Sequence, residues 1–268
     1  MKDIKKYLDE EREGKYSFYF EDLDGSYTYG YNEEVPKTSA GTMKLMLAVV
    51  FLKKVEDGSF SLDELIPIKE SDKKGGSGIL GDFIERTYTV RELISSMLII
   101  GDNTAANKLM TLLGVDQINL AFKELGLTNT TISNNPGSEG NKTTAEDMAR
   151  TIKALYKKTY LNDKHSDYIV DLIRRRVKSK IAFYLPNVIR PQFASKTGDG
   201  VGIENEVALI NTESGNFIFS IMATDLPNSV YGMISLAKAG MMIWNSIHEN
   251  WTPKTPSQEE ADTSNSPA

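Results

Sequence analysis

From Leu45 to Leu52 the chain is apolar at every position, with Met43 just before and Val55 just after. A helix over about Gly41 to Val55 has no polar face, so it has to be buried rather than lie on a surface. Such a helix needs cover on all sides, and 268 residues are enough for it, as one large domain or two intimate lobes. Asp57-Gly58 ends the helix, and its leading edge reads Ser39-Ala40-Gly41-Thr42-Met43-Lys44. The position three before Lys44 is one turn away on the same face. A nucleophile there would have an amine beside it to take its proton. That position is Gly41, which has no side chain.

Composition removes several kinds of chemistry. Hydrophobic and charged fractions of 40% and 25% are ordinary for a soluble globular protein. The formal net charge of -6 argues against general nucleic-acid binding. With no cysteine, disulfides, thiolate metal sites and cysteine nucleophiles are excluded. The two histidines, His165 and His248, are far apart in sequence, which argues against a His-based metal site or a Ser-His-Asp triad. No metal or cofactor is expected. No run approaches the roughly 18 apolar residues of a membrane span, and Met1 to Lys6 lacks the apolar core of a signal peptide. The chain is therefore either cytoplasmic or exported by a segment outside this sequence.

Ile4, Tyr7 and Leu8 fall at helical spacing in a short amphipathic helix that ends near Gly14. Tyr16 to Phe20 and Ser26 to Tyr31 read as a hairpin around Asp22-Leu23-Asp24-Gly25. Residues 59–90 read as loop-rich, with Lys73 to Gly78 the most flexible stretch. Helices are predicted over Leu93 to Ile100, Thr104 to Leu113 and Val115 to Leu125. A polar loop follows over 128–143. Thr144 caps the next helix, with Asp147 three residues on, and Ser166 to Val177 forms another. Phe193 to Thr197, Glu206 to Asn211 and Phe217 to Thr224 read as strands, and Tyr231 to His248 as a final helix. Strands at both ends with helices between predict an α/β (α+β) fold, its sheet built from the two ends of the chain. The Pro/Ser/Thr-rich segment 252–268 is expected to be a disordered tail.

Three short boxes then line up. Gly41-Thr42-Met43-Lys44 stands where an S-x-x-K motif would open a buried helix. Gly101-Asp102-Asn103 stands where S-D-N would sit between helices, and Lys196-Thr197-Gly198 is an intact K-T-G on a strand. This order resembles the class A β-lactamases and the penicillin-binding serine D,D-peptidases. Flanking text agrees along nearly the whole folded chain: Tyr27 to Asn32, Asp102 to Asn107, Thr143 to Met148, and Leu185-Pro186 ahead of Ala194 to Gly198. The resemblance implies a β-lactamase-like domain over 1–251. It would have a sheet lobe at about 15–57 and 181–251, an inserted helical lobe at about 58–180, and a cleft between them.

The resemblance also locates departures. The family's nucleophilic serine aligns with Gly41, and the serine of S-D-N aligns with Gly101. The loop from Thr128 to Lys142 lacks the E-x-x-L-N pattern of the deacylating glutamate, Glu139 being its only acid. Thr42 is rotated about 100° away from the face of Lys44, and Ser39 lies five residues before it, so neither has the spacing of a replacement nucleophile. What remains is a ligand pocket: Lys44, Asn103, Lys196, Thr197, Gly198 and Asp199, with an oxyanion hole from the main-chain N–H groups of Gly41 and Asp199.

The expected function is a catalytically inactive member with a binding or scaffolding role in cell-wall biology. Its partner would be a peptidoglycan stem peptide or a cell-wall protein, and its location extracellular or at the cell surface. Two alternatives stay open: a hydrolase in which Lys44 activates water, and an engineered inactive form of an active enzyme. Asp199 is a poor neighbour for an anionic ligand, and Lys44 and Lys196 have the alternative role of structural partners for Asp102 or Asp199. Arg174-Arg175-Arg176 with Lys178 and Lys180 reads as a solvated helix end. Both histidines are expected at the surface, Tyr16, Phe18 and Phe20 in the sheet core, and Trp244 and Trp251 against the sheet.

Overall fold

The computed structural model describes residues 1–133, 140–175 and 179–252. The loop residues Asn134 to Glu139, the positions Arg176, Val177 and Lys178, and the tail beyond Thr252 lie outside the described residues.

The elements run α1 (Lys2–Glu10), β1 (Lys15–Asp22), β2 (Thr28–Tyr31), β3 (Lys37–Thr38) and a short 3-10 turn (Ala40–Thr42). α2 (Met43–Glu56), β4 (Leu65–Ile68), β5 (Arg86–Thr89), α3 (Val90–Ile99), α4 (Asn103–Leu113) and α5 (Val115–Glu124) follow. The chain closes with β6 (Lys142–Thr143), α6 (Ala145–Lys157), α7 (Asp163–Arg174), β7 (Phe193–Gly200), β8 (Ile203–Thr212), β9 (Gly215–Thr224) and α8 (Ser229–Asn250). The main sheet is antiparallel, in the order β2-β1-β9-β8-β7. The two ends of the chain meet inside it, with Phe18 opposite Ile221.

Side chains alternate across a strand, and both faces of this sheet are covered. Phe217, Phe219, Ile221 and Ala223 point into one core, with Phe18 and Phe20 of β1, Ile4 and Leu8 of α1, and Leu236 and Ile243 of α8. Ile218 and Met222 point into the other, with α2, α6 and the remaining helices. Trp251 closes the first core edge-on against Phe20 and Phe217, and Trp244 packs on Phe193. α2 is the buried axis its composition demands, none of Leu45 to Leu52 being more than 2% exposed. In this strand order β7 is an edge strand, and it packs against the 3-10 turn that leads into α2.

Several expectations need correction. Residues 59–90 contain the β4–β5 hairpin, in which Ile66, Ile68 and Tyr88 are buried. Pro67 obscured it, and a proline is tolerated in a two-stranded ribbon whose outer side makes no ladder bonds. Lys73 to Gly78 is held along the start of α4: Lys74 N–H donates to Thr104 Oγ1 (3.0 Å), and Ser77 O accepts from Asn103 N–H (2.9 Å). His165 is buried, its Nδ1 2.9 Å from Glu56 Oε1, while His248 is exposed. Arg174 is no solvated helix end. It donates to Pro191 O and Asn211 Oδ1, both at 2.6 Å, and burial lowers its pKa.

Candidate active site

The 3-10 turn delivers Gly41 to the cleft. Ala40, just before it, has φ +46°, a left-handed conformation that costs a residue with a Cβ roughly 1 kcal/mol. Gly198 of β7 presses against this turn so closely that a Cβ on it would stand 2.6 Å from the backbone nitrogens of both Gly41 and Thr42. Only glycine permits that approach.

One helical turn on, Lys44 reaches across to the start of α4. Its Nζ donates to Gly101 O and to Asn103 Oδ1, each at 2.6 Å. The Asn103 amide in turn donates to Gly75 O at 2.9 Å. Asp102 caps α4. Its carboxylate accepts from the backbone N–H groups of Ala105 (2.8 Å), Ile79 (2.7 Å) and Leu80 (2.9 Å). Those main-chain donors, rather than Lys44 or Lys196, satisfy it. The price of this tight cap is Gly78, at φ +106°, where a Cβ would lie 2.1 Å from Asp102 Oδ2.

From the opposite wall, β7 supplies Lys196, 1% exposed, whose Nζ donates to Thr197 O at 2.8 Å. Asp199, further along β7, pairs with Lys180 at 3.6 Å rather than with Lys44 or Lys196. Lys180 is also bonded to the buried Glu204. Burial raises the Glu204 pKa, outweighing the pull of Lys180 in the other direction. The neighbouring Glu206 accepts from Lys180 N–H (2.7 Å), Ile181 N–H (2.9 Å) and Ser195 Oγ (2.6 Å).

These elements enclose a cavity of about 380 Å³. Gly41, Lys44, Gly101, Asn103, Lys196, Thr197, Gly198 and Asp199 all line it, so the positions singled out from the sequence converge on one space. The two glycines differ physically. A Cβ on Gly41 would meet Thr197 O at 3.1 Å and Gly198 Cα at 3.3 Å, and would lie 3.8 Å from Lys196 Nζ, so a side chain enters with a shift of a few tenths of an ångström. Gly101 has φ +75°, where any side chain is strained.

Ser39 and Thr42 do not line the cavity. Both are buried, with Ser39 Oγ donating to Asn141 O (3.2 Å) and Thr42 Oγ1 to Ser39 O (2.6 Å). Sequence reasoning missed Ser77, Ile100 and Val201 as lining residues. Ser77 Cβ is 3.9 Å from where a Cβ on Gly101 would stand, so another segment lines that corner. The Gly-Ser-Gly text around Ser77 carried no signal beyond a loop. Among the described residues no group of acids and histidines has the arrangement of a metal site.

The sequence pattern of the β-lactamase enzyme family matches residues 1–247. The chain belongs to the β-lactamase enzyme family. It is 28% identical over 186 residues to β-lactamase CTX-M-97 of Escherichia coli, covering 65% of this chain and 63% of the relative. It is 29% identical over 143 residues to the D-alanyl-D-alanine carboxypeptidase DacB2 of Mycobacterium tuberculosis, covering 50% and 47%. The match thus spans less than two thirds of either relative's length. Among solved structures, PBP-A superposes with a TM-score of 0.87 at 23% identity, over 92% of this chain and 95% of that one. A β-lactamase from Sphaerobacter thermophilus gives 0.81 at 23% identity, over 88% and 92%. These superpositions establish the mixed α/β fold with its antiparallel sheet. Among the described residues, no helix of this family member is long and apolar enough to cross a membrane.

Proposed function

We propose that this protein is a β-lactamase-family member that holds a peptide-like ligand without forming an acyl-enzyme, and serves as a binding or scaffolding protein in cell-wall biology outside the cytoplasmic membrane. The observation that carries this reading is at position 41. The residue one turn before Lys44, beside Lys196 and in the wall of the cavity, is a glycine, and the nearby hydroxyls of Ser39 and Thr42 are buried in backbone hydrogen bonds. Covalent catalysis needs a nucleophile in reach of its base, and the cleft offers none at that place. Binding does not need one. Two ammonium groups, the Thr197 hydroxyl and the backbone around Gly41 and Asp199 are suited to the carbonyl oxygens of a peptide. The family resemblance supports a peptidoglycan stem peptide as the ligand class.

Intact-mass spectrometry after incubation with benzylpenicillin tests the reading. The native chain is expected to carry no adduct, and Gly41→Ser, whose Cβ needs a shift of a few tenths of an ångström from Thr197 and Gly198, is expected to gain one. An adduct on Ser39 or Thr42 of the native chain refutes the proposal. So does hydrolysis of nitrocefin that disappears in Lys44→Ala, which would establish water activation instead.

A further inference from the structure

The cavity has two electrical ends. Lys44 and Lys196 supply positive charge where α2 faces β7, and Lys196 is almost completely buried. Asp199 lies three residues beyond Lys196 on β7, about 10 Å along an extended strand, with its side chain 58% exposed at the rim. The one ammonium within 4.0 Å of Asp199 among the described residues is that of Lys180, at 3.6 Å. Lys180 is shared. It also pairs with the buried Glu204 and donates to Gly198 O at 3.4 Å. One cation between two carboxylates leaves Asp199 only partly neutralised.

Asp199 also lines a second cavity of about 420 Å³, which shares Thr197 and Asp199 with the lining of the first. Arg174 and Arg190 reach that second space, but their guanidinium groups are bonded to Pro191 O, Asn211 Oδ1 and Phe183 O rather than to Asp199. A ligand group that passes the Gly41–Lys196 end and reaches the rim therefore meets a carboxylate.

We propose that Asp199 sets the ligand class of this cavity, favouring a peptide-like ligand that presents a cationic group at the rim and disfavouring one that ends there in a free carboxylate. This rests on the reading of the cavity as a peptide-ligand site. The cause is Coulombic, so the selectivity weakens with ionic strength.

The test uses the full chain and three probes that share one backbone and differ in charge at one end: N-acetyl-D-alanyl-D-alanine, its primary amide and its 2-aminoethyl amide. Affinities are measured by calorimetry at low salt. The expected order is aminoethyl amide above amide above acid, with about a tenfold difference per step, narrowing as salt is raised. In Asp199→Asn, and in Asp199→Ser as a second neutral variant, the series is expected to collapse to within about threefold. Thermal unfolding verifies that both variants are folded. A native preference for the acid overturns the proposal, as does a series that keeps its order and spread in both variants. Those two results leave the peptide-ligand reading standing. Failure of all three probes to bind the native chain at millimolar concentration overturns that reading, and the role of Asp199 with it.

Discussion

Lys44 Nζ lies 2.6 Å from Asn103 Oδ1, which ties the start of the buried helix α2 to the start of α4 across the cleft. The same ammonium holds Gly101 O at 2.6 Å, so one cation joins two of the three sequence boxes. Lys44→Met removes both bonds and leaves two part-buried oxygens without that donor. The expected cost is about 2 kcal/mol, read as a fall in thermal midpoint of roughly 4–8 °C. A variant as stable as the native chain would mean that water replaces the ammonium without loss.

The two motif glycines are expected to respond differently to the same change. Gly101→Ser places a side chain at φ +75° and should destabilise by roughly 1–2 kcal/mol. Gly41→Ser carries no positive-φ strain but brings a Cβ to 3.1 Å from Thr197 O and 3.3 Å from Gly198 Cα, and should cost about 1 kcal/mol, less than Gly101→Ser. Urea unfolding of the two single variants decides this, and equal losses would contradict the backbone argument.

Removing the cation from the Lys180–Glu204 pair strands a carboxylate that is 3% exposed. Lys180→Met is expected to lose roughly 3 kcal/mol. Adding Glu204→Gln should restore much of it, because the buried charge that made the loss large is then absent. A double variant no more stable than Lys180→Met would place the loss in packing instead.

Asp147 provides a pH dependence with a defined sign. Its carboxyl is 1% exposed, and burial pushes its pKa up despite the bonds it accepts from Thr130 Oγ1 and Asn129 N–H. The folded state therefore disfavours the ionised form. The stability of the native chain relative to Asp147→Asn should be greatest below the ordinary aspartate pKa, and should fall as pH rises through the elevated folded value. Urea titrations of both proteins across the acid range measure this, and a difference that grows with pH would reverse the assignment.

Local text was enough for the elements whose pattern is self-contained. The apolar strand text of β9, the Thr144 cap, which accepts from Asp147 N–H at 3.0 Å, and the all-apolar α2 are each written within a few consecutive residues. Other features depend on partners far along the chain. His165 is buried because Glu56, 109 residues away, accepts it. Arg174 is held by Asn211 rather than by water. Lys180, read as part of a basic run, meets Glu204 and Asp199 only because β7 and β8 bring them there.

By itself the sequence determined that a helix had to be buried at Leu45–Leu52 and that strands from both chain ends had to share a sheet, and it singled out Gly41, Lys44, Gly101, Asn103 and Lys196 as candidates for one site. Periodicity, turn residues and side-chain inventory are local properties, so they are legible without coordinates. Only the tertiary structure decided that a side chain at position 41 meets backbone at 3.1 Å, whereas one at position 101 has space but a strained positive φ. It alone separated Asp102, satisfied by backbone N–H groups, from Asp199, left at the rim with half a partner. Those distinctions are backbone angles and distances between distant segments, and they exist only once packing has placed α2, α4 and β7 around one cavity.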